Sequence, residues 1–127
     1  MSGIFVDEKD RIEIEVSFKV SPEGGKLEIL PNKEPGCESL TVKFAIPDYQ
    51  MSQRILQTSM KPTPEGGLTM DIFIMQQSLL MGLAREWDAK DKDGKEIPLT
   101  ATALGNLKIE VARTLISKLM DRVGGIF

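Results

Sequence analysis

Ten residues near the start of the chain, Arg-Ile-Glu-Ile-Glu-Val-Ser-Phe-Lys-Val, place an apolar side chain at every second position. Ile12, Ile14, Val16, Phe18 and Val20 therefore share one side of an extended backbone, whereas on a helix they would scatter around the axis. This is the period of a half-buried β-strand. Leu40, Val42, Phe44 and Ile46 repeat the alternation, and Leu27 and Ile29 show a shorter version of it within residues 26–30. Ser21-Pro22-Glu23-Gly24-Gly25 and the Pro/Gly-rich stretch 31–38 are turn chemistry between these runs. The first region, residues 1–47, is thus predicted to be an antiparallel three-strand meander with one apolar face.

Pro47-Asp48 changes the texture, and residues 48–127 read as a helical region forming one compact unit with the strands. Asp48 is a candidate N-cap for a helix over 49–60. Lys61-Pro62-Thr63-Pro64-Glu65-Gly66-Gly67 cannot continue it. Thr69 is the next candidate cap, for a helix over 70–88 ending at Trp87-Asp88. After a polar run, Thr100 can cap a short turn through Ala101, Ala103 and Leu104, and Asn106 can recap the chain. A last helix over 107–123 stops at Gly124-Gly125. The expected class is α+β, an N-terminal antiparallel three-strand meander followed by a C-terminal helical bundle of three to four helices. A chain of 127 residues can bury roughly two thirds of its unfolded surface, so neither metal nor disulfide is needed for stability.

The residue inventory narrows the chemistry. With no histidine, the commonest general base and metal ligand is missing, and no Ser/His or Cys/His pair can be built. The lone cysteine, Cys37, has no internal disulfide partner and no adjacent base to activate it, and reads as an inert loop thiol. Asp91-Lys92-Asp93-Gly94 resembles part of a calcium loop. Aligning Gly94 with the turn glycine puts Ala89 at the first ligand position and Thr100 at the last, and Lys90, Lys92 and Lys95 oppose a cation. Glu23-Gly24-Gly25-Lys26 and Glu65-Gly66-Gly67 lack the ending of a phosphate loop. Glu13 and Glu15 are a solvated strand face rather than a catalytic pair. The expectation is no enzyme, no metal and no cofactor. A net charge of −3 disfavours non-specific nucleic-acid binding, and no apolar run approaches the roughly 20 residues of a membrane span. The first ten residues carry no basic apolar leader, so a cytoplasmic location is expected.

The helices carry wide apolar faces. In the last one, Leu107, Ile109, Val111, Ala112, Leu115, Ile116, Leu119, Met120 and Val123 spread over roughly 220° at about 100° per residue, where a surface helix needs about 100° or a little more. In the helix before it, Ile72, Phe73, Leu79, Leu80, Leu83, Ala84 and Trp87 cover about half a circle, with Met70, Ile74 and Met81 as a second stripe. Two readings stand side by side. The helices can pack on each other and on the sheet, or part of the surface is reserved for another chain, with methionines as adaptable contacts. The candidate partner-binding residues are Met70, Ile74, Met81, Leu115, Ile116, Leu119 and Met120. Trp87, Gly94, Pro98 and Thr100 are the structural residues of the connector, where Trp87, Ile97, Pro98 and Leu99 are expected to pack as a clasp.

From Leu40 onward the chain resembles the tail assembly chaperones of long-tailed bacteriophages. The features are Val42-Lys43-Phe44-Ala45-Ile46-Pro47 running into Asp48-Tyr49, then Trp87-Asp88, Asp91 and Asp93, Gly94-Lys95, Pro98 and Thr100, and a leucine-rich closing helix from Leu104 to Val123. The resemblance implies a non-enzymatic assembly factor that coats the helical tape-measure protein during tail morphogenesis, with homo-oligomers and other tail proteins as partners, in the host cytoplasm. The alternative is a tail or baseplate component retained in the virion, whose strands add to neighbouring sheets. A small regulatory binding module is a third class.

Overall fold

The computed structural model describes residues 3–21 and 26–123, and the turn at Pro22-Glu23-Gly24-Gly25 and the stop at Gly124-Gly125 lie outside them. Strands β1 (Arg11–Val20) and β3 (Glu38–Ala45) pair antiparallel, with Ile12 opposite Phe44, Ile14 opposite Val42 and Val16 opposite Leu40. All six side chains are buried, whereas Glu13, Lys43 and Glu15 on the other face are exposed. The alternation in the sequence thus sets both the strands and their register, since a slip of one residue would turn every apolar side chain to water.

The order of the strands corrects the expected meander. β2 (Leu27–Leu30) lies on the far side of β1, so β1 is central and β3 pairs with β1, not with β2. β2 is too short to cover the long apolar row of β1, and β3 matches that row residue for residue. Because β2 and β3 are both antiparallel to β1, they run parallel to each other, and residues 31–37 must cross β1. The crossing lies over the outer face. Lys19, which points there, pairs with Glu34 at 3.1 Å, and Ser17 and Leu30 on that face are buried. Pro35-Gly36 turns the chain, with Gly36 at φ 80° and the Cys37 N–H donating to the Glu34 carbonyl, as a type II turn requires.

Helix α1 (Tyr49–Ser59) is capped by Asp48, whose Oδ1 accepts the Met51 N–H at 2.8 Å. The predicted break at 61–67 is instead a β-hairpin of β4 (Met60–Pro62) and β5 (Leu68–Met70). Its tip repeats the chemistry of the acidic run. Thr63 and Asp91 each accept, through a side-chain oxygen, the N–H four residues on, and the glycines three residues on, Gly66 and Gly94, sit at φ 87° and 79°. Both tips have the pattern of a type I turn closed by a left-handed glycine. A residue pattern that excludes a helix does not exclude a tight hairpin.

The predicted helix over 70–88 is two elements. α2 (Ile72–Leu83) begins at Asp71, whose Oδ1 accepts the N–H groups of Phe73 and Ile74 at 3.0 and 3.2 Å. Thr69, the predicted cap, sits in β5 opposite Lys61. The chain then becomes extended as β6 (Ala84–Trp87) and completes a four-stranded antiparallel sheet of order β2-β1-β3-β6. Gly82, a poor helix former, stands just before the switch, and pairing with β3 supplies the backbone partners the helix gives up. Trp87 therefore ends a strand rather than a helix.

Residues 88–97 fold back as a small hairpin, with Ile97 N–H on the Ala89 carbonyl and Lys90 bridged to Glu96. α3 (Ala101–Gly105) is capped by Thr100, whose Oγ1 accepts the Ala103 N–H at 3.0 Å, as expected. Asn106 closes α3 instead of opening the next helix, and α4 (Ile109–Val123) starts two residues later than predicted. Val111, Leu115, Leu119 and Val123 form one buried stripe of α4, which lies across β1 with α2 beside it, and α1 packs on α2. The class is α+β. The helical region lends a strand to the sheet and covers its apolar face.

Candidate partner-binding surface

Hairpin β4–β5 has an apolar face turned to water. Met60 opposes Met70 and Pro62 opposes Leu68, which puts all four on one side, and all four are exposed. Lys61, Thr69 and Asp71 take the other side, where Lys61 Nζ lies 3.3 Å from Asp71. The Asp71 carboxyl is held below the usual carboxylate range, first by the Ile74 N–H and then by Lys61. This carboxylate anchors the hairpin to the first turn of α2, where the partial positive charge of the helix terminus also favours it.

The chain continues into α2, where Ile72, Phe73 and Ile74 are exposed, Phe73 by 78%. Met75, Leu79, Leu80 and Leu83 form the buried side of the same helix. α2 carries apolar residues on more sides than the folded chain covers, with Gln76, Gln77 and Ser78 between them. Below Phe73 a shallow groove of about 370 Å³ separates α2 from the start of α4, lined by Phe73, Gln77, Met81, Leu107, Ile109 and Ile116 among others. Hairpin face, helix start and groove carry apolar side chains in close sequence, far more than scattered surface residues would.

The seven predicted partner-binding residues divide. Met70 and Ile74 are exposed on β5 and α2. Met81 and Ile116 are partly buried and line the groove. Met120 is partly buried against the core. Leu115 and Leu119 are 0% exposed and belong to the core, because the stripe they occupy is the one that covers the sheet. They are corrected from surface to interior. The connector residues also take definite places. Trp87 Nε1 donates to the Ile97 carbonyl at 2.6 Å, and Trp87 and Leu99 pack against the core while Pro98 stays exposed. The clasp is therefore Trp87, Ile97 and Leu99.

The candidate contacts chosen from the sequence leave out Ile72, Phe73 and Leu68, and Met60 enters only among the methionines that fit a partner surface or a core equally well. A signal existed. Leu68, Met70 and Ile72 alternate, and Phe73 and Ile74 follow at once, so an apolar strand face runs straight into an apolar first helical turn.

No family of proteins, curated protein or solved structure matches the chain.

No helix among the described residues is long and apolar enough to cross a membrane. Around the Asp91 turn, the Asp91 Oδ1 accepts the N–H groups of Asp93 and Lys95 at 2.9 and 3.0 Å, so this acid is engaged in building the turn.

Proposed function

We propose that the chain is a non-enzymatic phage tail assembly chaperone that binds the tape-measure protein through an apolar surface during tail morphogenesis in the host cytoplasm. The observation that carries this reading is the half-covered α2, whose first turn leaves Ile72, Phe73 and Ile74 exposed beside the open face of the hairpin. A two-stranded hairpin exposed on both faces is marginal on its own, and a partner laid across it would supply the missing burial. The groove between α2 and α4 suits an apolar stripe of a helical segment, in the manner of helix-in-groove recognition. The order of motifs from Val42 to Val123 supports the same assignment. Co-expression with a fragment of the cognate tape-measure protein tests it: a stable complex is expected, and a protein that purifies alone would contradict it.

A virion component is the second reading, favoured by the outer edge of β2, which pairs with β1 on one side and ends the sheet on the other. Such edges are open to strand addition. Purified particles separate the two: a chaperone is absent from them, and a structural protein is present in fixed copy number.

A further inference from the structure

Strand β1 is paired unequally on its two sides. β3 accompanies it from Arg11 to Phe18, whereas β2 covers only Ser17 to Val20. Among the described residues, the β2 side of β1 therefore has no strand beside it from Arg11 to Val16. The ladder tells which backbone groups face this gap. The Ser21 N–H donates to the Lys26 carbonyl at 2.9 Å, and hydrogen-bonded positions alternate along an antiparallel pair. Ser21, Lys19 and Ser17 thus turn their backbone groups toward β2, and Glu15, Glu13 and Arg11 turn theirs to the gap. Lys118 agrees with this direction, since its Nζ donates to the Glu15 carbonyl at 2.7 Å. An open strand of this kind is a template for another strand.

The charges along this edge select which strand. Lys9, Arg11, Glu13 and Glu15 read as two bases followed by two acids at every second residue, and none of them belongs to an ion pair among the described residues. Lys43, opposite Glu13 on β3, lies 4.0 Å from Glu86 instead. The Arg11 guanidinium donates to the Glu8 and Asp10 carbonyls rather than to a carboxylate. Such an order of charges is complementary to itself when reversed. We propose that β1 pairs antiparallel with β1 of a second copy about Ile12, with Arg11 of each copy opposite Glu13 of the other. The backbone groups of Arg11 and Glu13 then bond across the joint, and Lys9 comes beside Glu15. The other registers that keep these bonds set Glu13 against Glu13, Glu13 against Glu15 or Arg11 against Arg11, and like charges directly opposite are unfavourable. In the turn ahead of the strand the Asp10 N–H donates to the Asp7 carbonyl at 3.0 Å, which bends the chain aside before it would meet β2 of the other copy. The pairing uses the same patch on both copies, so it closes at a dimer and joins two four-stranded sheets into one. This inference does not depend on the tape-measure reading.

Sedimentation of the full chain over a range of concentrations tests it. Wild-type protein is expected to pass from monomer to dimer and no further, with the dimer weakened by salt because its ion pairs are exposed. Arg11→Glu sets acid against acid at both ends of the joint, and Glu13→Arg sets base against base. Each variant alone is expected to dimerise at least about tenfold more weakly. Mixed, the two should recover the lost affinity as a heterodimer, since each then meets its opposite charge. The double variant R11E/E13R should recover it in a single chain. Circular dichroism of every variant checks that the fold is intact. Phe73→Asp should leave the dimer unchanged, which separates this edge from the apolar surface of α2. A wild type that stays monomeric at all concentrations overturns the proposal. So do single variants that dimerise like the wild type, a folded mixture that gains no affinity, or loss of the dimer in Phe73→Asp.

Discussion

α2 and α4 carry similar numbers of apolar residues, yet they are used differently. α4 commits half of them to one stripe spaced by four, Val111, Leu115, Leu119 and Val123, which is enclosed by the sheet and its neighbours, while Ile109 is exposed and Ile116 and Met120 are partly buried at its flank. α2 distributes them around its circumference, so that the same packing covers Met75, Leu79, Leu80 and Leu83 and leaves Ile72, Phe73 and Ile74 in water. A stripe tells a helix where to lie. A helix whose apolar residues are spread around it exceeds what one packed side can cover, and the first turn of α2 is what is left over.

Substitutions in the two helices should therefore fail in different ways. The largest effect is expected in α4: Leu115→Ala should lower unfolding stability by about 2–5 kcal/mol, as deletion of a buried leucine leaves a cavity, read by chemical denaturation. A charge at Leu115 would report on folding, not on docking. In α2, Phe73→Asp should leave stability within about 0.5 kcal/mol, as exposed substitutions do. Its partner affinity should fall at least about tenfold, because exposed aromatic anchors dominate interfaces. Equal loss of stability in both variants would erase the contrast between the helices.

A smaller effect sharpens the boundary of α2. Gly82 has open space around its would-be Cβ, so Gly82→Ala should stabilise the helix by about 0.5–1 kcal/mol. Gly94→Ala should destabilise, because at φ 79° a Cβ crowds the following carbonyl oxygen and alanine has no side-chain hydrogen bond to offset it. Thermal unfolding of the pair reads both signs. The smallest effect is electrostatic. The folded Asp71 carboxyl titrates below its unfolded value of about 3.9, so its contribution is complete above that pH and is lost as pH falls through the folded value. Asp71→Asn should flatten the acid limb of the stability profile and leave the neutral region without further pH dependence.

The strands were legible because alternation is a local signal that the fold obeys: the predicted span of β1 is the observed one. Strand order was not legible, since nothing local in Leu27–Leu30 says which neighbour it takes. The end of α2 was hidden because Ala84-Arg85-Glu86-Trp87 has ordinary helix propensity, and its strand form depends on β3, some forty residues away in sequence. The hairpin at Met60–Met70 was hidden for the opposite reason. Its two prolines and two glycines announce a turn but not the three-residue strands on either side. For the surface, periodicity identified apolar positions and could not divide them: Ile74 and Leu115 look alike in sequence, and what packs above each one decides their roles.

The most direct test of the account is a titration of the cognate tape-measure fragment against wild-type protein and Phe73→Asp, with folding of both checked in the same samples. The account predicts saturable binding by the wild type and at least about tenfold weaker binding by a variant of unchanged stability. Equal affinity of the two would show that the open face of α2 is not the docking surface.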